Sequence, residues 1–164
     1  MFLSKLIGNM MLYYGDVKFS EHAIKVYAYA RSIGEEEQLS ESERFVLSVA
    51  AILHDIGIPP AIKLHGSSKG EFQEKEGALL VPEMLNRADI QDDIAERVAW
   101  LVGNHHTEAS AENDLLLQIL MEADYLVNLA EGNIPTESAR KVSENFFKTG
   151  TGKQYINALF NLSL

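Results

Sequence analysis

Helical periodicity runs along almost the whole 164-residue chain, and this feature restricts its fold more than any other. Apolar residues recur every three or four positions, whereas alternating runs long enough for a β-strand are missing. The chain lacks internal repeats, and its length suits a single core. We therefore expect one all-α domain over residues 1–164 with about six to eight helices. Its core is predicted over about 20–130, with the terminal helices packed on it.

Capping and breaking residues place the predicted helices. Ser20 is predicted to cap the second helix, and Ser40–Glu43 forms a capping box before the third. Gly57 and the Pro59-Pro60 pair are predicted to stop the third helix and to open a loop. The first 15 residues predict a short amphipathic helix. The next helices are predicted over about 20–33, 40–55, 71–86, 89–103, 114–130 and 136–147, and a last short helix follows Gly152. Pro82 is predicted to kink or break the helix over 71–86.

The chain is acidic, with 24 acidic and 14 basic residues and a net charge of −10. This charge disfavours long anionic partners, so we expect neither a nucleic acid polymer nor a membrane as partner. A small phosphorylated substrate stays compatible because a bound divalent cation reverses the local field. The chain has no cysteine, which excludes disulfides, thiolate metal sites and cysteine nucleophiles. Since the N-terminus also lacks the pattern of a signal peptide, a cytoplasmic protein is predicted.

Polar residues interrupt three helix faces that should be buried. His22 lies on the apolar face of the second helix, the His54-Asp55 pair ends the third, and Asp124 continues an apolar stripe of a later one. A buried, ionised carboxylate is costly unless it is paired or binds a metal. Glu122 lies on another face and is predicted to need no such partner. The apolar neighbours on these faces are Val26, Tyr29 and Ile33 for His22, and Leu117, Leu120 and Met121 for Asp124.

Two imidazoles and two carboxylates form a characteristic donor set. Singly, His22 is explained as a satisfied core histidine, and Asp124 as a capping or salt-bridge group. Jointly, the set predicts a site for one divalent transition metal ion (Mn, Fe, Co, Ni or Zn) in preference to Ca. Four protein ligands on an octahedral ion leave positions for water and substrate oxygens, which hydrolysis requires.

The order His … His-Asp … Asp resembles that of the HD superfamily of metal-dependent phosphohydrolases. His22 matches the first histidine, His54-Asp55 the signature pair within ILHDIG, and Asp124 the last aspartate within MEADYLVNL. The resemblance covers about 20–130. It implies an α-helical domain in which these four residues hold the metal. It also implies hydrolysis of a phosphate ester or anhydride in a small phosphorylated metabolite, such as a nucleotide.

Part of this superfamily carries a second metal, held by a histidine four residues before a Gly-Ala pair and by an adjacent His-His pair. Here His105-His106 resembles the adjacent pair. Gln73 occupies the other position, and Glu74 or Glu76 would have to replace the missing histidine. We therefore expect one metal ion, with a two-metal site bridged by Asp55 as the alternative.

The resemblance also implies catalytic roles. Asp55 would bind the metal and orient the attacking water. His105 and His106 would contact the phosphate or protonate the leaving group if they do not bind a second metal. The alternative for this histidine pair is a helix-end cap that contacts backbone carbonyls.

A phosphate contact is expected from the segment after the signature pair. The lysine that often follows HDIG in the family is replaced by Ile58. Lys63, Lys69 or the backbone of Ser67-Ser68 is therefore predicted to bind phosphate in its place, and an exposed flexible loop without this role is the alternative. His65 in the same loop is equally compatible with having no role. The GYP motif of the cyclic-dinucleotide branch is missing.

Two other functions stay open from the sequence. One is a metal-containing nucleotide-binding or regulatory module of the same fold with little turnover, and the other is a purely structural helical scaffold. Nucleoside monophosphates, dNTPs, dinucleoside polyphosphates and sugar phosphates are all compatible substrates. The apolar terminal segments either cover the core or form the face of a homodimer.

Overall fold

The helical pattern folds into nine α-helices within the residues that the computed structural model describes, 2–86 and 90–162. In chain order these are α1 (Phe2–Tyr14), α2 (Val17–Glu36), α3 (Glu41–Leu53), α4 (Ile58–His65), α5 (Gly70–Asn86), α6 (Asp92–Val102), α7 (Leu115–Ala130), α8 (Ala139–Phe146) and α9 (Gly150–Leu159). Short 3-10 helices at Glu108–Ala111 and Thr136–Ser138 precede α7 and α8, and no strand occurs in these two ranges. The all-α prediction is confirmed, but the predicted count of six to eight helices is too low.

The unexpected helix is α4, where a helix stop and a loop were predicted. Pro59 and Pro60 occupy its first turn, where a missing N–H is harmless and the fixed φ of proline suits a helix. The two prolines therefore begin a helix, and the predicted loop shrinks to the few residues between His65 and Gly70. Gly66 caps α4 with a left-handed φ of 66°, which glycine adopts without strain.

The starts of two other helices depart from the prediction. α2 begins at Val17 with Asp16 as its N-cap, because the Asp16 carboxylate accepts from the Phe19 backbone N–H. Ser20 consequently lies inside α2, and its hydroxyl donates to the Asp16 carbonyl at 2.7 Å. The start predicted near Asp89 lies outside the described residues, and α6 runs from Asp92.

Other local predictions are confirmed. Ser40 and Glu43 form the reciprocal capping box of α3, with the Ser40 backbone N–H donating to the Glu43 carboxylate at 2.8 Å. α1 is a helix whose Leu6 and Met10 are buried in the core. α5 continues through Pro82 as far as Asn86, so the helix does not break at this proline, and a kink there stays a prediction.

α3 lies at the centre of the bundle. Residues 46–53 are all buried, and α3 contacts α1, α2, α6 and α7. α2 and α7 also pack against each other. Because α3 ends inside this bundle, the next residues, His54 and Asp55, lie where α2 and α7 pass.

Gly57 brings α5 close to the turn that follows this pair. A Cβ at position 57 would collide with the backbone of Gln73 and would come within 2.5 Å of the Gly77 nitrogen. The requirement is steric, because the φ of Gly57 is an ordinary −77°. At its start, α5 also contacts His106, whose Cβ would lie 3.0 Å from a Cβ on Gly70. α5 therefore borders the site on the side of His105 and His106.

Taken singly, none of the described helices is long and apolar enough to cross a membrane, although α3 and α4 together, bent by 43°, meet the length and composition criteria.

Candidate metal centre

The four predicted metal ligands converge from α2, the end of α3 and α7. The His22 Nε2 atom lies 3.0 Å from Asp124 Oδ1, 3.3 Å from His54 Nε2 and 3.6 Å from Asp55 Oδ2. The His54 Nε2 atom lies 3.5 Å from the same oxygens of Asp55 and Asp124. Since His54 is fully buried and His22 almost so, these donor atoms share an enclosed space.

Outer hydrogen bonds determine which nitrogen each histidine presents to this space. His54 Nδ1 lies 2.9 Å from the Ala51 carbonyl, and His105 Nδ1 lies 2.7 Å from the Val102 carbonyl. A carbonyl only accepts, so both Nδ1 atoms carry a proton and donate. In the neutral ring each Nε2 then carries a lone pair that faces inward. His22 follows the same pattern, with Nδ1 2.9 Å from Glu131 Oε2. Histidines that bind metals are held in this way.

The carboxylates and imidazoles of the cluster shift each other's pKa values. Burial lowers the pKa of His22, but Asp124, Glu131 and Asp55 together raise it to about 9. The pKa of His54 is also raised, because Asp55 and Asp124 outweigh its burial. Burial raises the pKa of Asp124, and the two histidines bring it well below its usual range. Without a bound cation, the site therefore retains protons between its carboxylates and imidazoles.

A second group of donors lies on the other side of Asp55. Asp55, His105 and His106 each offer an atom within 4.8 Å of the others, as do His22, His54 and Asp124 in the first group. Asp55 faces both groups, since Oδ2 is the oxygen near His22 and His54, whereas Oδ1 lies 3.5 Å from His105 Nε2. The pKa of Asp55 is lowered, because His54 and His105 outweigh its burial. This carboxylate thus has the position that a bridging ligand needs.

His106 is held differently from the other three histidines. Its Nε2 lies 3.1 Å from the Gln73 side-chain oxygen, while the Gln73 amide nitrogen donates to the Ser68 carbonyl. Burial, followed by the nearby His105, lowers the pKa of His106 to about 4. His106 is therefore a neutral ring whose Nε2–H donates to Gln73, the residue that stands in the position of the family's second-site histidine.

The carboxylates considered as replacements for that histidine have other partners. Glu74 Oε1 accepts from the His106 backbone N–H at 2.8 Å and from the Thr107 hydroxyl at 3.0 Å. Glu76 Oε1 lies 2.8 Å from His65 Nε2. Glu74 therefore holds the segment after His105, and Glu76 accepts a hydrogen bond from His65 Nε2.

The predicted phosphate-binding lysines lie at the surface. Lys63 is exposed in the last turn of α4, and Lys69 is exposed directly before α5. The backbone N–H of Lys69 donates to the Ser67 hydroxyl at 3.2 Å. A phosphate contact by either side chain stays a prediction.

The sequence analysis missed several residues that support the site. Glu131, the C-cap of α7, accepts a hydrogen bond from His22 Nδ1. The Asn128 side-chain amide donates to Asp124 Oδ1 at 2.8 Å. The expectation for Glu122 was wrong: its carboxylate is fully buried and accepts from the backbone N–H groups of Lys148 and Thr149 at 2.6 and 2.9 Å. The i, i+4 spacing of Asn128 from Asp124 was a usable signal, whereas the backbone groups that donate to Glu122 are 26 and 27 residues away.

A cavity of about 870 Å³ lies between the segment after the histidine pair, one face of α7 and α8. Tyr125 lines it, directly after Asp124 in the chain. The Tyr125 ring stacks on Phe146 with centroids 5.1 Å apart, and its hydroxyl donates to Glu108 Oε1 at 3.3 Å. Burial raises the pKa of Tyr125, and the charges of Glu108 and Asp124 raise it further. None of the four predicted metal ligands lines this cavity, and Tyr125, which follows Asp124 on α7, links the cavity to the cluster.

These features agree with the comparison with known protein families. The family model for the HD domain matches residues 19–129, and the chain belongs to this family of α-helical domains, whose typical members are metal-dependent phosphohydrolases. All four residues of the predicted ligand set fall within the matched range, whereas Glu131 lies outside it. Neither the curated proteins nor the solved structures that were searched contain a significant match to this chain.

Proposed function

We propose that this protein is a metal-dependent phosphohydrolase that acts on a small phosphorylated metabolite. The observation that carries the proposal is the inward set of acceptors, in which the Nε2 atoms of His22 and His54 and oxygens of Asp55 and Asp124 lie 3.0 to 3.6 Å apart. Acceptors this close need positive charge among them, and in the metal-free protein the protons retained by the histidines supply it. A divalent cation that displaces these protons would be held by all four groups. The donor set suits a divalent transition metal ion.

In this proposal His22, His54, Asp55 and Asp124 hold the ion. When bound, the ion supplies Lewis acidity, which activates a water molecule and neutralises charge on the phosphate. Asp55 orients the attacking water with the oxygen that it does not share with His22. His105, whose Nε2 lies 3.5 Å from that oxygen, is placed to exchange a proton with the same water.

The alternative of two metal ions gains support from the second donor group. Asp55, His105 and His106 present a carboxylate and two imidazoles on the side opposite His22. Gln73 counts against a second metal ion, because its side-chain oxygen accepts a hydrogen bond from His106 Nε2 and so occupies that nitrogen. Calorimetric titration with Mn²⁺ distinguishes the two stoichiometries, and we expect one tight site per chain.

The cavity next to the cluster supports a nucleotide as substrate. Its volume of about 870 Å³ falls in the range of small-ligand sites. The stacked rings of Tyr125 and Phe146 offer a flat apolar surface, and Glu108 and Glu112 line the same cavity. Carboxylates disfavour phosphate there but accept hydrogen bonds from the amino groups of a base. We propose that the base occupies this cavity and the phosphate lies at the metal.

A phosphatase assay with added Mn²⁺ or Co²⁺ tests the proposal. We expect Asp55→Ala and His54→Ala to lose at least about 100-fold in kcat/KM, since each removes a group that binds the metal. His65→Ala is the matched control, because His65 pairs with Glu76 outside the cluster, and it should retain most of its activity. Parent-level activity in both cluster variants would refute the proposal. A parent protein that binds metal and nucleotide without turnover would instead be a regulatory module.

A further inference from the structure

Two buried side-chain atoms in residues 2–86 and 90–162 lack a hydrogen-bond partner, Tyr14 Oη and His105 Nε2. The His105 atom lies 3.5 Å from Asp55 Oδ1, so it borders the candidate centre. A buried hydroxyl without a partner is costly, and such atoms in folded proteins call for an explanation. A ligand that binds at the centre would supply the missing partner of His105 Nε2.

The contacts of α1 place Tyr14 beside the centre. The preceding residue, Tyr13, donates its hydroxyl to the Ile56 carbonyl at 3.4 Å, which docks the end of α1 on the turn that carries Asp55. The Tyr14 ring stacks on Phe19, with centroids 5.5 Å apart and planes inclined by 26°. Phe19 lies one helical turn before His22 on α2. The Tyr14 ring therefore lies against α2 one turn before His22, and its neighbour Tyr13 lies against the turn that carries Asp55.

We infer that Tyr14 is a substrate-binding residue, whose hydroxyl donates a hydrogen bond to a phosphate oxygen of the substrate or product held at the metal centre. The inference deepens the proposed phosphohydrolase function and rests on it. Tyr14 lies outside residues 19–129, the range that matches the HD family, so this contact is an addition made by the chain's own N-terminal helix.

The electrostatic environment keeps Tyr14 in the form that the inference requires. Burial raises the pKa of the Tyr14 hydroxyl, and the negative charge of Asp55 raises it further. The hydroxyl therefore stays protonated and acts as a donor. A hydrogen bond from such a donor to a phosphate oxygen is charge-assisted, and bonds of this kind are stronger than neutral ones.

Binding of inorganic phosphate to the Mn²⁺-loaded protein tests the inference without turnover. We expect Tyr14→Phe to weaken phosphate binding about tenfold or more by calorimetry, while Mn²⁺ affinity stays within about twofold. Tyr27→Phe is the matched control, because the Tyr27 hydroxyl contacts Arg31 on the surface of α2, and it should bind phosphate like the parent. Equal phosphate affinity of Tyr14→Phe and the parent would overturn the inference, and so would a parent that binds no phosphate.

Thermal unfolding of the metal-free protein separates a ligand contact from a structural one. If the hydroxyl exists for a ligand, removing it relieves an unsatisfied buried group, so Tyr14→Phe should unfold at the same temperature as the parent or a few degrees higher. A midpoint lowered by more than about 3 °C would show a structural role and would overturn the inference. These two readouts use no enzymatic turnover. Failure of the phosphatase assay would reject the proposed function, whereas unchanged phosphate binding would reject only the role of Tyr14.

Discussion

At the scale of single residues, the site depends on groups that orient its ligands. Glu131 accepts the Nδ1 proton of His22 at 2.9 Å, and in doing so it turns the Nε2 lone pair towards Asp124 and His54. We expect Glu131→Ala to weaken Mn²⁺ binding about 10- to 100-fold, the usual effect of removing such an outer hydrogen bond. Calorimetric titration of the purified variant measures this change.

Glu21→Ala is the control for that variant. Like Glu131, Glu21 pairs with Lys25, but at 3.6 Å and on the exposed surface of α2. It should therefore bind Mn²⁺ with parent affinity. If both variants behaved alike, the effect would come from the charge of Lys25 or the total charge, and the orienting role of Glu131 would be wrong.

The same residue scale shows why only part of the site was predictable. His22, His54, Asp55 and Asp124 are visible in the sequence because each occupies or extends an apolar helix face. Glu131 is invisible by this criterion, since it caps α7 after the periodic pattern has ended. The sequence did not indicate Tyr14 either, because a tyrosine is an ordinary residue on an apolar helix face. Only the structure shows that its buried hydroxyl has no hydrogen-bond partner.

At the scale of helices, a buried carboxylate joins α7 to α9. Glu122 on α7 accepts from two backbone N–H groups, from the Thr149 hydroxyl and from Gln118, and it lies against Gly152 in the first turn of α9. A carboxylate at this end of a helix also complements the helix dipole. We expect Glu122→Ala to lower the free energy of unfolding by about 3 kcal/mol, because it leaves buried N–H groups unsatisfied. Chemical denaturation measures the loss.

Glu144→Ala provides the comparison for this helix contact. Glu144 is exposed on α8, and its removal should change the free energy of unfolding by less than about 0.5 kcal/mol. A Glu122→Ala variant as stable as Glu144→Ala would contradict the proposed link between α7 and α9.

The positions of the helices were easier to predict from the sequence than the contacts between them. The periodic pattern correctly indicates α3, α5 and α7, because each has a long apolar face and clear end signals. α4 was missed because a proline pair both stops one helix and suits the start of the next, and the sequence alone favoured the first effect. Contacts such as that of Glu122 with Thr149 depend on how α8 returns the chain to α7, which no local pattern encodes.

At the scale of the whole molecule, a metal ion would connect α2, the end of α3 and α7, which the core already packs together. An ion that binds only the folded chain stabilises it by mass action, by about 2.7 kcal/mol at a free concentration 100 times Kd. For a chain of this size we expect the unfolding midpoint to rise by about 5 to 10 °C when Mn²⁺ replaces a chelator. Differential scanning calorimetry measures the shift.

The net charge of −10 requires a control, because any cation reduces repulsion between the acidic residues. NaCl at the same ionic strength should reproduce this screening effect and no more. His54→Ala, which keeps every carboxylate but removes one imidazole from the cluster, should lose most of the Mn²⁺-dependent shift. If the parent and His54→Ala gained equal stability from Mn²⁺, or if NaCl gave the whole effect, the ion would act through the surface and the cluster would not be its binding site.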